Sequence, residues 1–160
     1  MGNELLRQKA QTITGINSEL IKICNNMLEA IETGKGIGLA GPQVGFMKRV
    51  FVVHIQGDIP RVFINPSILE TSQETSKLEE GCLSIPEIYA DVIRSREIKV
   101  QAWNEKGRPF TIEASGILAR VILHEYDHLE GILFLDRLSE AKRNRLTEKF
   151  EKRSVNIGKE

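Results

Sequence analysis

The chain has 160 residues, 41% of them hydrophobic and 28% charged, and its 22 lysine and arginine residues balance 22 acidic residues to a formal net charge of +0. This composition is typical of one globular domain over residues 1–160, and it gives no reason to expect a nucleic acid or a membrane as partner. No apolar run approaches the length of a membrane span and the N-terminus lacks the apolar core of a secretory signal, so we expect a cytoplasmic protein.

The first predicted element is a helix that begins at Asn17 or Ser18, either of which can cap it, and ends near Thr33, before Gly34. Its apolar residues recur on one stripe, as expected for a helix packed on a core. They are Leu20, Ile23, Met27 and Ile31. Cys24 lies among these residues, and we interpret it as a small apolar core residue.

A glycine-rich stretch follows at residues 36–45, with the sequence Gly-Ile-Gly-Leu-Ala-Gly-Pro-Gln-Val-Gly. It lacks the Lys-Ser/Thr pair and the strand-to-helix context of a phosphate-binding loop. We interpret it instead as backbone that passes close to a ligand, with Gln43 as an amide hydrogen-bond donor at its end.

The middle of the chain has the pattern of an antiparallel sheet. Runs of β-branched and aromatic residues occupy residues 50–55, 62–64 and 98–103, and the turn 104–107 joins the last of these runs to residues 110–112. Such short runs joined by turns predict neighbouring antiparallel strands.

Two more helices are predicted towards the C-terminus. The first runs from residue 116 to 130, after the candidate cap Ser115, and its apolar residues cover most of its circumference, so it should be buried. The second, from about 139 to 152, is highly charged. We therefore predict an α+β fold in which antiparallel sheets wrap around a buried central helix, with a charged helix at the C-terminus.

The predicted buried helix carries the sequence His124-Glu125-Tyr126-Asp127-His128. Histidines four residues apart lie on one face of a helix, so both imidazoles can bind one metal ion. Glu125 is rotated by about 100° from His124. It can therefore reach a water on that metal without taking a ligand position, as in H-E-x-x-H hydrolases. Burial of these groups by chance is disfavoured, because a buried polar group needs a partner or a metal.

A catalytic metal of this kind takes three protein ligands and leaves one position open. We interpret His54 as a half-buried strand residue. Proteases of the thermolysin kind take a glutamate downstream of the motif as third metal ligand, and the nominal candidates for that role are Glu130, Glu140 and Glu148. Cys82, in the sequence Glu-Gly-Cys-Leu-Ser at residues 80–84, is the better candidate, because a thiolate is a good soft ligand for a divalent cation. These residues alone leave a metal ligand and a simple buried thiol as equal alternatives for Cys82.

Three segments together resemble the motifs of the peptide deformylase family: residues 36–43, 80–84 and 124–128. They occur in the order of that family and at similar separations, and the resemblance extends from about Leu5 to Phe150.

The resemblance implies hydrolysis of the N-terminal formyl group of formyl-methionyl nascent polypeptides, with release of formate. One divalent metal ion would be bound, Fe²⁺ in the cell, with Zn²⁺, Ni²⁺ or Co²⁺ as replacements, and a water on that metal would be the nucleophile. The implied metal ligands are Cys82, His124 and His128. Glu125 would act as general base and then general acid. The Gln43 amide and the Leu83 backbone N–H would stabilise the oxyanion.

The resemblance also implies contacts with the substrate. Backbone pairing with the peptide, as an added strand, is expected at Ile37, Gly38 and Gly81. The pocket for the methionine side chain is expected at Tyr89, Ile117 and Val121. Asp127 either pairs with Arg94 or is solvated, and the charged C-terminal helix either contacts the ribosome or presents a solvated face.

Two residues depart from the family pattern. Gly41 stands where Ala is usual, and Leu123 stands where Gln usually precedes the first histidine. Neither change removes a ligand, the base or an oxyanion donor. We expect Gly41→Ala to be tolerated or mildly stabilising.

Two other functions remain open. A metalloprotease of the H-E-x-x-H kind would cleave internal peptide bonds and would need a carboxylate or a histidine as third ligand. A non-enzymatic protein would be a structural zinc domain or an inactive binding module. A structural zinc site uses four protein ligands, whereas one cysteine and two histidines converge here by motif.

Overall fold

The computed structural model describes residues 4–34, 36–82 and 85–148. In chain order these residues form a helix, seven β-strands, a second helix and a third helix at residues 140–148, here called α3. The bounds of the others are α1 Ser18–Gly34, β1 Gly38–Ala40, β2 Val50–Val53, β3 Arg61–Thr71, β4 Thr75–Cys82, β5 Ile85–Ser95, β6 Glu97–Trp103, β7 Pro109–Ser115 and α2 Gly116–Leu129.

Five strands form one antiparallel sheet in the order β1–β2–β3–β6–β7, and β4 and β5 form a separate antiparallel pair. The turn between β6 and β7 is held by the side chain of Asn104, which accepts hydrogen bonds from the backbone N–H groups of Lys106 and Arg108. Gly107 takes a positive φ of 75° in this turn, a conformation that favours glycine. The predicted antiparallel sheet is confirmed, and the β4–β5 pair is an addition that the sequence pattern did not indicate.

Helix α1 covers one face of the five-stranded sheet. Its first turn is capped by Asn17, whose Oδ1 accepts a hydrogen bond of 2.9 Å from the N–H of Leu20. Its buried stripe packs against Val50, Val52 and Ile64 of the sheet. Cys24 lies in this stripe and is 1% exposed, which confirms that it is a core residue. Burial, with a smaller contribution from the charge of Glu105, raises the pKa of its thiol to about 11.

Helix α2 covers the opposite face of the same sheet. The side chains of Phe51, Val53 and Phe63 alternate with those that face α1, as the pleat of a strand requires, and they pack in one cluster with Val121 and Ile122 of α2. The predicted burial of this helix is confirmed for most of its length. The first turn is the exception: Gly116 and Ile117 are exposed, Ile117 by 56%.

The β4–β5 pair lies on the other side of α2. Its inner face, together with Leu6 of the N-terminal segment and the segment after α2, forms a third buried cluster of apolar residues: Leu6, Ile88, Ala90, Val92, Leu133, Phe134 and Leu135. Helix α2 therefore lies between two antiparallel sheets, and the predicted α+β class is confirmed. Within the described residues, α3 covers the first part of the predicted charged helix, and residues 149–152 lie outside them. None of the helices that the structure describes is both long and apolar enough to span a membrane.

Candidate active site

Helix α2 brings two imidazoles and a carboxylate together. The ring centroids of His124 and His128 lie 5.0 Å apart, with the ring planes at 73° to each other. One potential ligand atom from each of His124, Glu125 and His128 lies within 4.8 Å of the other two. This convergence follows from the helix itself, because residues at i and i+4 lie one turn apart on the same face.

Glu125 is a buried carboxyl group in an unusual environment. Its Oε1 lies 3.8 Å from Nε2 of His124, and its Oε2 is buried and accepts no hydrogen bond from any described residue. Burial raises the pKa of Glu125 to about 7, although the charges of His124 and Arg94 oppose the change. A buried carboxylate oxygen without a donor among the described residues, beside two imidazoles, suits a site that binds a divalent cation and a water molecule.

His128 is 1% exposed. Burial, with smaller contributions from His124 and Arg94, lowers the pKa of His128 to about 3. The ring is therefore neutral at physiological pH, which is the form of histidine that binds metals.

Glu80, from β4, orients the first histidine. Its Oε1 lies 2.9 Å from Nδ1 of His124. Burial favours the protonated carboxyl, but hydrogen bonds from His124, Arg94 and Arg120 outweigh this effect and lower the pKa of Glu80 well below its usual range. Since a carboxylate only accepts hydrogen bonds, Nδ1 is the donor and the lone pair of His124 is on Nε2. The sequence pattern gave no signal for this role of Glu80, although the residue stands two positions before Cys82 in the same motif.

Arg94, from β5, links Glu80 to helix α2. Its Nε and Nη2 donate to the two oxygens of Glu80 at 2.6 and 2.9 Å, and its Nη1 donates to Asp127 at 2.8 Å. Of the two alternatives left open for Asp127, a pair with Arg94 or a solvated side chain, the structure shows the pair. Asp127 also accepts hydrogen bonds from Nε and Nη2 of Arg137, at 3.0 and 2.7 Å, a pair that the sequence did not predict.

The glycine-rich stretch lies directly on α2. A Cβ atom added to Gly38 would lie 2.8 Å from Cγ1 of Val121 and 3.0 Å from Cγ of Glu125. Gln43, in the 3₁₀ turn that follows β1, accepts a hydrogen bond of 2.9 Å from the N–H of Ala40 through its Oε1. The glycine at position 38 therefore allows β1 to pass over Glu125, and the bond to Ala40 fixes the plane of the Gln43 amide.

The expectation that Gly41→Ala would be tolerated is wrong. A Cβ atom at Gly41 would lie 2.5 Å from the carbonyl oxygen of Phe46 and 2.9 Å from that of Lys48, so the backbone of this loop would have to move. The other departure from the family pattern, Leu123, is partly buried and packs against the core between α2 and the sheet.

Two of the predicted site residues are described only in part or not at all. Strand β4 ends at Cys82, whose side chain is not described, and Leu83 follows it outside the described residues. Gly81 lies opposite Tyr89 in the β4–β5 pair, and a Cβ atom on Gly81 would lie 2.5 Å from the Tyr89 ring. The close fit of this ring explains why glycine occupies position 81.

The predicted substrate contacts differ in exposure. Val121 is buried beneath Gly38, whereas Ile37 and Ile117 are 43% and 56% exposed. Tyr89 is 60% exposed, on the face of β5 opposite to that of Arg94. Their roles in substrate binding remain predictions.

The alternative third ligands lie elsewhere. Nδ1 of His54 lies 3.7 Å from a carboxylate oxygen of Glu32. Glu130, just after α2, pairs with Arg49 at 3.0 Å and with Lys9 at 3.3 Å. Glu140 and Glu148 are exposed residues of α3. Among the described residues, the candidate metal cluster contains only one carboxylate, and it is the adjacent Glu125.

The chain is similar to proteins of one known family. A family model described as polypeptide deformylase matches residues 1–144. The chain is 44% identical over 153 residues to the peptide deformylase of Chromohalobacter salexigens, an alignment that covers 94% of this chain and 90% of that protein. It is 50% identical over 136 residues to the peptide deformylase of Clostridium botulinum, covering 85% and 91% of the two chains. The crystal structure of a peptide deformylase from Synechococcus elongatus in complex with actinonin superimposes with a TM-score of 0.88 at 41% identity, over 94% of this chain and 82% of that chain.

Proposed function

The chain belongs to the peptide deformylase family, and on this premise we propose that it removes the N-terminal formyl group from formyl-methionyl nascent polypeptides by metal-dependent hydrolysis. The observation that carries the proposal is the convergence of His124, Glu125 and His128 within 4.8 Å beneath strand β1. Two imidazoles that could bind a metal and a buried carboxyl group therefore lie close together.

The metal would be held by His124, His128 and Cys82. The position of β4 supports the third ligand, because Glu80 of this strand contacts His124 and Cys82 follows it by two residues. A thiolate and two imidazoles suit Fe²⁺, Co²⁺, Ni²⁺ and Zn²⁺, and we propose Fe²⁺ as the ion in the cell. When bound, the cation would supply Lewis-acid chemistry, polarising the formyl carbonyl and lowering the pKa of a water molecule.

Glu125 would transfer the proton. The water oxygen attacks the formyl carbon while Glu125 accepts a proton from the water, and the same carboxyl group then donates that proton to the amine as the C–N bond breaks. The products are formate and a peptide with a free methionine amine. A carboxyl group with a pKa of about 7 has both forms populated near neutral pH, which suits both steps.

The Gln43 amide and the Leu83 backbone N–H would stabilise the oxyanion. The hydrogen bond from Ala40 to Oε1 of Gln43 supports this role, because it fixes the orientation of the amide before the substrate binds. Loss of one such donor should lower the rate on the order of 10²–10³-fold.

The peptide would bind along β1. This strand is at the edge of the five-stranded sheet, so its outer edge can pair with an added strand through residues such as Ile37 and Gly38. We propose that the backbone of Gly81 pairs with the other side of the peptide. The pocket for the methionine side chain would be formed by Val121, Ile117 and Tyr89. We also propose a cytoplasmic enzyme that acts on nascent chains.

A contact between the ribosome and the C-terminal charged segment is a further hypothesis. Co-sedimentation with ribosomes should decrease when residues from Arg143 onward are deleted. Unchanged co-sedimentation would rule out this contact.

The test of the function is formate release from formyl-Met-Ala-Ser by the Fe²⁺-loaded protein under anaerobic conditions. Wild type should release formate, and Glu125→Ala should release almost none while it retains its metal, measured by elemental analysis. Glu130→Ala is the matched control and should still release formate. It also removes a carboxyl group, but this group lies just beyond the helix and pairs with Arg49. Casein cleavage without formate release would instead favour a metalloprotease, and neither activity in a folded, metal-loaded protein would favour a binding module.

A further inference from the structure

Arg120 is a buried cation one turn before His124 on helix α2. Its side chain is 8% exposed. Its Nη1 donates to Glu80 Oε2 at 2.7 Å and to the carbonyl oxygen of Val92 at 2.7 Å. Its Nη2 donates to the carbonyl oxygen and the hydroxyl of Ser76, at 2.8 and 3.0 Å. Because Ser76 belongs to β4 and Val92 to β5, one guanidinium joins α2 to both strands of the pair.

The carboxylate of Glu80 is held on all sides. Its Oε1 is shared by Nδ1 of His124 and Nη2 of Arg94, both at 2.9 Å, and its Oε2 is shared by Nε of Arg94 at 2.6 Å and Nη1 of Arg120 at 2.7 Å. Rotation of this carboxylate would break several charge-assisted hydrogen bonds at once. The orientation of Glu80 therefore fixes the orientation of the His124 ring, and Arg120 is one of the two cations that fix Glu80.

The two arginines are not equivalent. Arg94 donates hydrogen bonds to the two carboxylates of Glu80 and Asp127. Arg120 donates to Glu80 and to two backbone carbonyl groups of the strands. Only Arg120 is also on the helix that carries His124. Its hydrogen bonds therefore join that helix directly to strand β4, which ends at Cys82.

We propose that Arg120 is a positioning residue for the metal site. It holds the Glu80 carboxylate in the orientation that keeps Nδ1 of His124 protonated and Nε2 available as a ligand, and it holds β4 at a fixed distance from α2. This inference rests on the proposed function, since it assigns Arg120 to the same site. Mutation of a partner that orients a ligating histidine typically lowers metal affinity about 10–100-fold.

The experiment compares Arg120→Gln with Arg137→Gln. Arg137 is the matched control, because it pairs with Asp127 in the same network but does not contact Glu80. Two properties are measured on the metal-free protein: the side-chain ¹⁵N resonances of His124, which report its tautomer, and the affinity for Zn²⁺ by competition with a chelator. Arg120→Gln should weaken Zn²⁺ binding about 10–100-fold and shift the His124 resonances away from a single tautomer, while Arg137→Gln should leave both unchanged.

Wild-type affinity and wild-type His124 resonances in a folded Arg120→Gln protein would overturn the proposal, as would an equal loss in Arg137→Gln. If Arg120→Gln does not fold, Arg120→Lys decides, because it keeps the charge but replaces the fork of donors with one ammonium group. Weaker binding with shifted His124 resonances in Arg120→Lys supports the positioning role, and wild-type values contradict it. These measurements need no substrate, so a protein that shows these effects but releases no formate would retain the proposal and refute the proposed function.

Discussion

At the scale of single residues, the candidate site depends on how closely β1 lies on helix α2. A Cβ atom on Gly38 would lie within 3.0 Å of both Val121 and Glu125, although the backbone at Gly38 does not have a positive φ. The requirement for glycine at this position therefore comes from packing and not from the backbone conformation. The same close contact excludes solvent from Glu125, which raises the pKa of that carboxyl group.

Gly38→Ala should lower both stability and activity. The new methyl group has to displace Val121 or Glu125, and overpacking of this kind typically costs about 1–3 kcal/mol. Because Glu125 is one of the displaced groups, formate release should fall as well. Urea unfolding and kcat/KM measure the two effects. Gly15→Ala is the control, because a Cβ atom on Gly15 would meet no atom within 4 Å. Equal stability and activity in the two variants would contradict the packing argument.

Glu125 should make the stability of the metal-free protein depend on pH. Its pKa in the folded state, about 7, lies above the ordinary glutamate value of 4.5, so between these pH values the folded state binds more protons than the unfolded state. The free energy of unfolding should therefore fall as the pH rises from 4.5 to 7, by about 3 kcal/mol from this group. Urea unfolding at several pH values measures the free energy of unfolding of wild type and of Glu125→Gln. The difference between the two free energies isolates the contribution of Glu125 from that of the other titrating groups. A difference that is constant with pH would refute the raised pKa.

At the scale of elements, the hydrophobic pattern predicted α1, α2 and four strands of the five-stranded sheet, β2, β3, β6 and β7, but it did not indicate β1, β4 or β5. The inner face of β4 carries Ser76 and Glu80, which are polar residues with partners from Arg94 and Arg120. A buried face built from ion pairs gives no apolar alternation, so periodicity could not identify this strand. The burial of these charges depends on residues that are distant in the sequence.

The end of α2 allows a test of how the N-terminal segment is attached. Gly131 has a φ of 75°, and a Cβ atom there would lie 2.5 Å from the carbonyl oxygen of Arg7. Gly131→Ala should therefore cost more than the roughly 1–2 kcal/mol of a left-handed backbone alone, because the segment at Arg7 also has to move. Gly116→Ala is the control, since Gly116 has a φ of 59° and no atom within 4 Å of an added Cβ.

Hydrogen exchange at Ala10 provides the local measurement for this test. The N–H of Ala10 donates to the carbonyl oxygen of Leu129 at 2.8 Å. Its protection should decrease more in Gly131→Ala than in Gly116→Ala. Equal losses of stability and of protection in the two variants would show that only the backbone conformation matters.

At the scale of the whole molecule, α2 joins the parts of the fold. It packs on the five-stranded sheet through apolar residues such as Ile122, and it is tied to the β4–β5 pair by Arg120 and Asp127. The convergence of His124, Glu125 and His128 could be predicted, because one helical turn determines it. Glu80 is 44 residues before His124 in the chain, so only the tertiary structure could reveal that it contacts this histidine.

A bound cation would connect α2 to the end of β4, so metal binding should stabilise the whole molecule. Zn²⁺ added to the metal-free protein at 1,000 times its Kd should contribute about 4 kcal/mol, or a rise in Tm of about 8–16 °C for a domain of this size. His128→Ala should remove most of this rise, because it deletes a proposed ligand. His54→Ala is the matched control and should keep the rise, since His54 lies beside Glu32 and outside the cluster. Thermal unfolding with and without Zn²⁺ measures the effect, and a full rise in His128→Ala, or its loss in His54→Ala, would show that the ion binds elsewhere.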